Sequence, residues 1–301
     1  MALQEGPDTA AAEVFRSEKV IAAWSAWPKW PHMNETPDGL LGEEEPPPFT
    51  LDNAAGTSPF LIVADHAGKA LPQRLGQLGL SDAERCSHIA WDIGAGAVCG
   101  LMGTALDAVV IRQSYSRLVI DCNRMPGSEQ SIVGVSERTQ VPGNVGLSEN
   151  QKADRVREIF RPYHDCITAE LDRRRGLGRP TALISMHSFT PVFKNVARRW
   201  HAGVLHNHDP RLAHALLELL QREDGLVIGD NEPYSVTDAT DYTIPVHGEQ
   251  RKLPHVAIEI RQNLIADEAG QRRWADLFVR LLPQAYQRSI RLAERISHGE
   301  Q

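Results

Sequence analysis

Ser58-Pro-Phe-Leu-Ile-Val-Ala-Asp-His-Ala67 joins an unbroken apolar run to two strongly polar residues. Six apolar positions with no alternation suit a strand buried on both faces, as in a parallel sheet covered by helices. Comparable runs follow at Ala108-Val-Val-Ile-Arg112, Leu118-Val-Ile-Asp-Cys122, Thr181-Ala-Leu-Ile-Ser-Met-His187, Ala202-Gly-Val-Leu-His206 and Val256-Ala-Ile-Glu-Ile-Arg261. Helical patterns separate them. One is expected from Asp82 to about Leu106 with Ser81 as N-cap, and Ser148 opens another to about Arg174. Asp209 and Pro210 start a third, to about Arg222, and Glu268 to Ser297 reads as an amphipathic fourth. Strands alternating with long helices imply an α/β fold, a mostly parallel mixed sheet in three α/β/α layers. Ligands in such sheets bind at the carboxyl ends of the strands. Gly127 to Gly146 is rich in Gly, Ser and Pro and is expected to be a long surface loop, a kind of segment that commonly carries function.

The 301 residues suit one domain with insertions. A net charge of −7 argues against nucleic acid as the main partner, because phosphate binding needs a basic field. No basic leader and no apolar run of about 18 residues is present, so no membrane partner and a cytoplasmic location are expected. Cys86, Cys99, Cys122 and Cys166 form no C-x-x-C pair and read as reduced thiols. Residues 1–48 differ from the rest. Trp24-Ser-Ala-Trp-Pro-Lys-Trp-Pro and Glu43-Glu-Glu-Pro-Pro-Pro-Phe are dense in Pro, Trp and acid, so a partly disordered extension is expected before a catalytic domain over 49–301. Trp24, Trp27 and Trp30 are candidates for docking on the body or on a second copy of the chain.

Strong polar groups gather where the apolar runs end. Asp65 and His66 follow the first strand, His187 follows the Thr181 run, and Glu259 lies inside the last. An unpaired buried charge costs several kcal/mol, about 3–5 when one partner of a buried pair is removed, so a shared partner is expected. A divalent cation is a simple one, and imidazole with carboxylate suits zinc with one position left for water. Asp92, in His88-Ile-Ala-Trp-Asp-Ile-Gly, reads either as a ligand or as a carboxylate that orients a ligand histidine. Arg117, Asn123 and Arg124 frame Leu118–Cys122, and a guanidinium there either grips a carboxylate ligand or pairs with Asp121. H-E-x-x-H, G-x-S-x-G and the phosphate loop are all missing.

These segments, together with Gly229-Asp-Asn-Glu-Pro-Tyr, Tyr242-Thr-Ile-Pro-Val-His-Gly-Glu and Glu259-Ile-Arg-Gln-Asn-Leu-Ile, resemble the N-formylglutamate amidohydrolase family over about residues 50–290. The resemblance implies a zinc-exopeptidase (phosphorylase/hydrolase)-like fold and zinc-dependent hydrolysis of a small N-acyl amino acid. It implies His66 and His187 as zinc ligands. Lys69 stands where carboxypeptidase-type sites commonly carry a Glu, so the third ligand is carried to Asp92. Glu259 becomes the general base and Arg117 a cation for the oxyanion. Asn123 and Arg124 would bind the substrate carboxylate, with Tyr242, His247 and Arg261 as further substrate contacts. Another N-acyl amino acid, a small peptide, or a binding protein without catalysis on the same fold remain alternatives.

Overall fold

The computed structural model describes residues 39–297. In chain order its strands are β1 (Phe49–Asp52), β2 (Phe60–Ala64), β3 (Val109–Gln113), β4 (Val135–Ser136), β5 (Thr139–Gln140), β6 (Ala182–Phe189), β7 (Val192–Phe193), β8 (Val196–Ala197), β9 (Ala202–Leu205), β10 (Ile228–Asp230) and β11 (His255–Arg261). The helices are α1 (Asp82–Arg85), α2 (Ala95–Leu106), α3 (Glu149–Arg155), α4 (Arg161–Gly176), α5 (Arg211–Leu220) and α6 (Glu268–Ser297). Seven strands form one sheet in the order β1-β3-β2-β6-β11-β9-β10. β3, β2, β6 and β11 run parallel to one another, β1 pairs antiparallel with β3, β9 antiparallel with β11, and β10 parallel with β9. The sheet is thus mixed and mostly parallel; the alternating pattern accounts for its parallel part. Two short hairpins, β4–β5 and β7–β8, stand outside it.

β2 and β6 are buried at every position, which explains their unbroken apolar runs. Successive strand side chains point to opposite faces. Phe60, Ile62, Ile184, Met186 and Ile258 join one cluster with Val98 and Met102 of α2, Leu216 of α5, and Trp274, Phe278 and Leu282 of α6. Leu61, Val63, Ser185, His187 and Glu259 therefore point to the other face. There α4 buries Tyr163, Ile167 and Leu171, and its Arg174 donates to the carbonyls of Ser58 (2.9 Å) and Phe60 (3.3 Å). No helix among the described residues is long and apolar enough to cross a membrane.

Two expectations are corrected. The stretch from Asp82 to Leu106 is two helices, not one. A Ser81–Glu84 capping box starts α1, and α2 starts only after Gly94, whose φ of 80° is left-handed. Between them the chain turns so that Asp92 N–H donates to the His66 carbonyl at 2.9 Å. Leu118–Cys122 is not a strand. Its apolar residues are buried in a series of turns, in which Ser116 Oγ accepts from Leu118 N–H and Asp121 Oδ1 from Asn123 N–H. A short apolar run cannot separate a buried strand from a buried turn. The helix opened by Ser148 has its capping box with Gln151 but widens into a π turn at Val156–Phe160 before α4. Pro162 has no N–H to give the carbonyl four residues back, which favours that widening.

The Trp-rich stretch lies outside the described residues. Residues 39–48, read from composition as part of the extension, contact the body. Leu40 is buried, Leu41 N–H donates to Glu158 Oε2 at 2.8 Å, and Tyr115 donates to the Pro46 carbonyl at 2.7 Å. β1, at the same junction, completes one edge of the sheet.

At Gly94 a Cβ would run into the carbonyl oxygen of Ile265 and lie 2.9 Å from its Cγ1, on top of the cost of a positive φ. At Gly127, φ 85°, a Cβ would meet nothing within 4 Å. Gly94→Ala is expected to destabilise the chain by about 2–4 kcal/mol and Gly127→Ala by about 1. Urea denaturation compares them, and equal losses would remove the steric role given to Gly94.

Candidate active site and metal centre

A cleft of about 620 Å³ opens where β2, β6 and β11 end, lined among others by His66, Asp92, Arg117, Asp121, His187 and Glu259. β2 delivers Asp65 and His66 from its carboxyl end, the turn before α2 delivers Asp92, and paired strands set Glu259 opposite His187.

His66, Asp92 and His187 each offer one ligand atom, and these atoms lie within 4.8 Å of one another. Asp92 Oδ2 is 3.0 Å from His187 Nδ1 and 3.4 Å from His66 Nδ1. The far nitrogens are held from behind. His66 Nε2 is 2.7 Å from Asp121 Oδ1, while His187 Nε2 is 3.0 Å from Ser185 Oγ and 3.5 Å from Asp65 Oδ2. Asp65 is fixed in turn, its Oδ1 accepting from Tyr163 and Thr243 hydroxyls, both at 2.8 Å. Asp121 is forked by Arg117 through Nη2 at 2.5 Å and Nε at 3.1 Å, and Arg117 Nη1 is 3.7 Å from Asp92 Oδ1.

Asp65, Asp92, Asp121 and Glu259 are all buried here, which raises carboxyl pKa values. For Asp92, facing both imidazoles, and for Asp121, facing Arg117 and His66, the cations win and hold the group below its ordinary range. Burial pushes both imidazoles down, yet their carboxylates carry His66 above its ordinary value and His187 well above. Permanent cationic charge is short at this point, where Asp65, Asp92 and Asp121 gather around the one guanidinium of Arg117. The donor set fits a divalent metal. His66 Nδ1 is buried without a hydrogen-bond partner, and two imidazoles with one carboxylate make a three-ligand set that leaves a position open.

Glu259 differs from the aspartates. Burial dominates, partly countered by His187, and its pKa is pushed up to about 7. Its Oε2 is buried without a hydrogen-bond partner.

Other residues singled out in the sequence are used differently. Asn123 lines the cleft, but its Oδ1 accepts from Tyr242 and Thr243 N–H, each at 3.0 Å, and its Nδ2 donates to Asp241 at 3.1 Å. Arg124 also lines the cleft, with Nη1 2.9 Å from the Asn123 carbonyl and 3.6 Å from Asp241. The salt bridge to Asp121 is therefore made by Arg117. Tyr242, His247 and Arg261 lie outside the cleft wall. Tyr242 packs on Phe160 and His164, and His247 is buried and stacked on His164, Nε2 to Nδ1 at 3.0 Å. Burial pushes His164 down to about 4 and His247 to about 3, which makes them a neutral structural pair. Arg261 donates to Asn263 and to the Arg198 carbonyl. Sequence reasoning gave no role to Ser185, Tyr163 or Thr243, because single hydroxyls carry no spacing signal. His88 and Glu137, paired at 2.8 Å across the cleft wall, stand too far apart in the chain for spacing to link them.

A mostly parallel mixed sheet between helices, with a buried His/Asp/His group beside a carboxylate at its strand ends, defines a mixed α/β protein with a metal-type donor set in its cleft. A family model described as N-formylglutamate amidohydrolase matches residues 58–266, and the chain belongs to that family. It is similar to the crystal structure of a gene product of Agrobacterium tumefaciens at 36% identity and a TM-score of 0.80, covering 82% of this chain and 98% of that one. Its fold is also like that of N-formylglutamate amidohydrolase from Ralstonia eutropha JMP134, at 18% identity and a TM-score of 0.57, covering 80% and 98%. No curated protein matches the chain.

If the trio holds a metal, His66→Ala and His187→Ala each lose the one zinc that it binds. Asp121→Asn, which keeps the shape but weakens the hold on His66 Nε2, lowers zinc affinity by about 10–100-fold. Competition with a chromophoric chelator measures both, and unchanged zinc affinity in Asp121→Asn would show that His66 needs no such orientation.

Proposed function

We propose that the chain hydrolyses the amide of a small N-acyl amino acid, N-formylglutamate first among them, with zinc held by His66, Asp92 and His187. Glu259 carries this reading. A buried carboxyl with a free oxygen and a pKa of about 7 beside a metal-type donor set is poised for proton transfer at neutral pH, and simple ligand binding has no use for it. Family membership supports the amidase chemistry.

When bound, zinc would polarise the scissile carbonyl and make water acidic enough to attack near neutral pH. Glu259 takes the proton of the attacking water at Oε2 and returns it to the departing amine nitrogen. Asp92 acts as the third ligand, because Asp121 and Asp65 already occupy the positions that orient the two imidazoles. Arg117, fixed on Asp121 yet lining the cleft, sets a permanent positive charge where the carbonyl oxygen becomes an oxyanion. Arg124 is the cation for the substrate carboxylate. Asn123 supports it by its carbonyl, since its amide is committed to the 242–243 turn. The cleft volume also admits acyl groups larger than formyl, so N-acetyl and longer N-acyl amino acids form the second substrate reading.

Hydrolysis of N-formyl-L-glutamate by the zinc-loaded chain, against a panel of other N-acyl amino acids, tests the substrate. Glu259→Gln is expected to keep its zinc and lose roughly 10²–10⁴ in kcat/KM. Loss of zinc along with activity would move Glu259 into the metal shell. The base must be deprotonated, so wild-type activity falls as pH drops through the Glu259 pKa. A bound cation favours the carboxylate, which places that limb at or below about 7.

Arg124→Lys keeps the charge and loses the planar fork, so KM rises more than kcat falls. Amidating the substrate's α-carboxylate then slows the wild type sharply and the variant much less. Equal slowing of both would deny Arg124 that contact.

A further inference from the structure

A second group of metal-type donors lies away from the cleft trio. His206 directly follows β9, Asp230 ends the neighbouring parallel strand β10, and His214 sits in the first turns of α5. One ligand atom from each lies within 4.8 Å of the others. His206 is fixed. Its Nε2 is 3.0 Å from Asp230 Oδ1 and 3.3 Å from Asn231 Nδ2, and its N–H donates to Asn231 Oδ1 at 2.9 Å. The His214 ring stands edge-on to His206, centroids 4.8 Å apart at 83°.

A hydrogen bond accounts for His206 and Asp230 by themselves. It does not account for His214, an exposed imidazole set beside an imidazole–carboxylate pair. We propose that His206, His214 and Asp230 form a second metal site, at the surface, that takes zinc or another first-row divalent cation. Two imidazoles and a carboxylate, with solvent filling the remaining positions, suit such ions. Bonds of about 2.0–2.2 Å to one ion set tetrahedral ligand atoms about 3.3–3.6 Å apart, a spacing that atoms within 4.8 Å of one another reach by side-chain rotation. His214 and Asp230 are both exposed and can rotate inward against the fixed His206.

The place gives the ion a structural consequence. Asp230 opens the segment that supplies Tyr234, Val236, Thr237 and Asp241 to the cleft wall. Asp238 of the same segment is already bonded to Asn207 at 2.7 Å and His208 at 3.0 Å, next to His206. An ion here clamps the base of that wall to β9 and α5, so it stabilises the cleft without entering the reaction.

The test counts zinc on the full, untagged chain after chelator stripping and dialysis against Zn²⁺ alone. Wild type is expected to bind one more zinc per chain than His214→Ala. His187→Ala is expected to keep one zinc, and His187→Ala/His214→Ala none. Zinc should raise the melting temperature of His187→Ala but not of the double variant. Equal zinc counts in wild type and His214→Ala overturn the second site, even if His187→Ala fails to fold. These counts are independent of the amidase reading, whose failure would appear in the N-acyl amino acid assay.

Discussion

One carboxylate oxygen, Asp92 Oδ2, faces the Nδ1 atoms of two buried histidines, and much of the molecule is arranged so that it can. A buried carboxylate is tolerable only if cationic charge reaches it, and a lone imidazole supplies that charge weakly at neutral pH. Two imidazoles, each backed by a second acidic group, share the task. The result is a nest of alternating charge: Arg117, Asp121, His66, Asp92, His187 and Asp65, each within contact of the next. A group so short of fixed positive charge is a natural host for a divalent cation.

The sheet makes this nest possible. Parallel strands buried on both faces end together, so Asp65 and His66 after β2 meet His187 of β6. The β6–β11 register then brings Glu259 opposite His187. Side-chain alternation keeps these residues off the face filled by α2, α5 and α6. α4 closes the opposite face and reaches the nest through Tyr163, which holds Asp65. The same scaffold that hides the apolar residues therefore aims the polar ones. The environments of the acids diverge from there. Asp92 and Asp121 are ionised by their cations, whereas Glu259 is governed by burial and titrates near neutrality. On that contrast rests the proposal that Asp92 holds an ion while Glu259 moves a proton.

The cleft wall is less regular than its floor. It is built from the turn at Leu118–Asn123, the β4–β5 hairpin and the segment around Tyr234–Asp241, elements joined mainly by side-chain bonds such as Asn123 to the 242–243 backbone. Irregular walls on a regular scaffold are where ligand preference is set.

Elements whose signal is local were legible along the chain. Unbroken apolar runs marked β2, β3, β6, β9 and β11, and capping residues marked the starts at Ser81 and Ser148. Strong polar residues at the ends of those runs, His66, His187 and Glu259, stood out because buried charge needs a reason. Features that depend on contacts between distant segments came from the folded chain. It broke the stretch after Asp82 at Gly94, because Asp92 has to reach His66, and it turned Leu118–Cys122 into a buried loop. It committed the Asn123 amide to the 242–243 backbone and packed Tyr242 and His247 against His164 outside the cleft wall, and it gave Asp121, Asp65 and Ser185 their places behind the histidines. Periodicity reports how one segment meets the core. It carries no record of which distant polar group fills the space opposite, and that pairing is what makes the site.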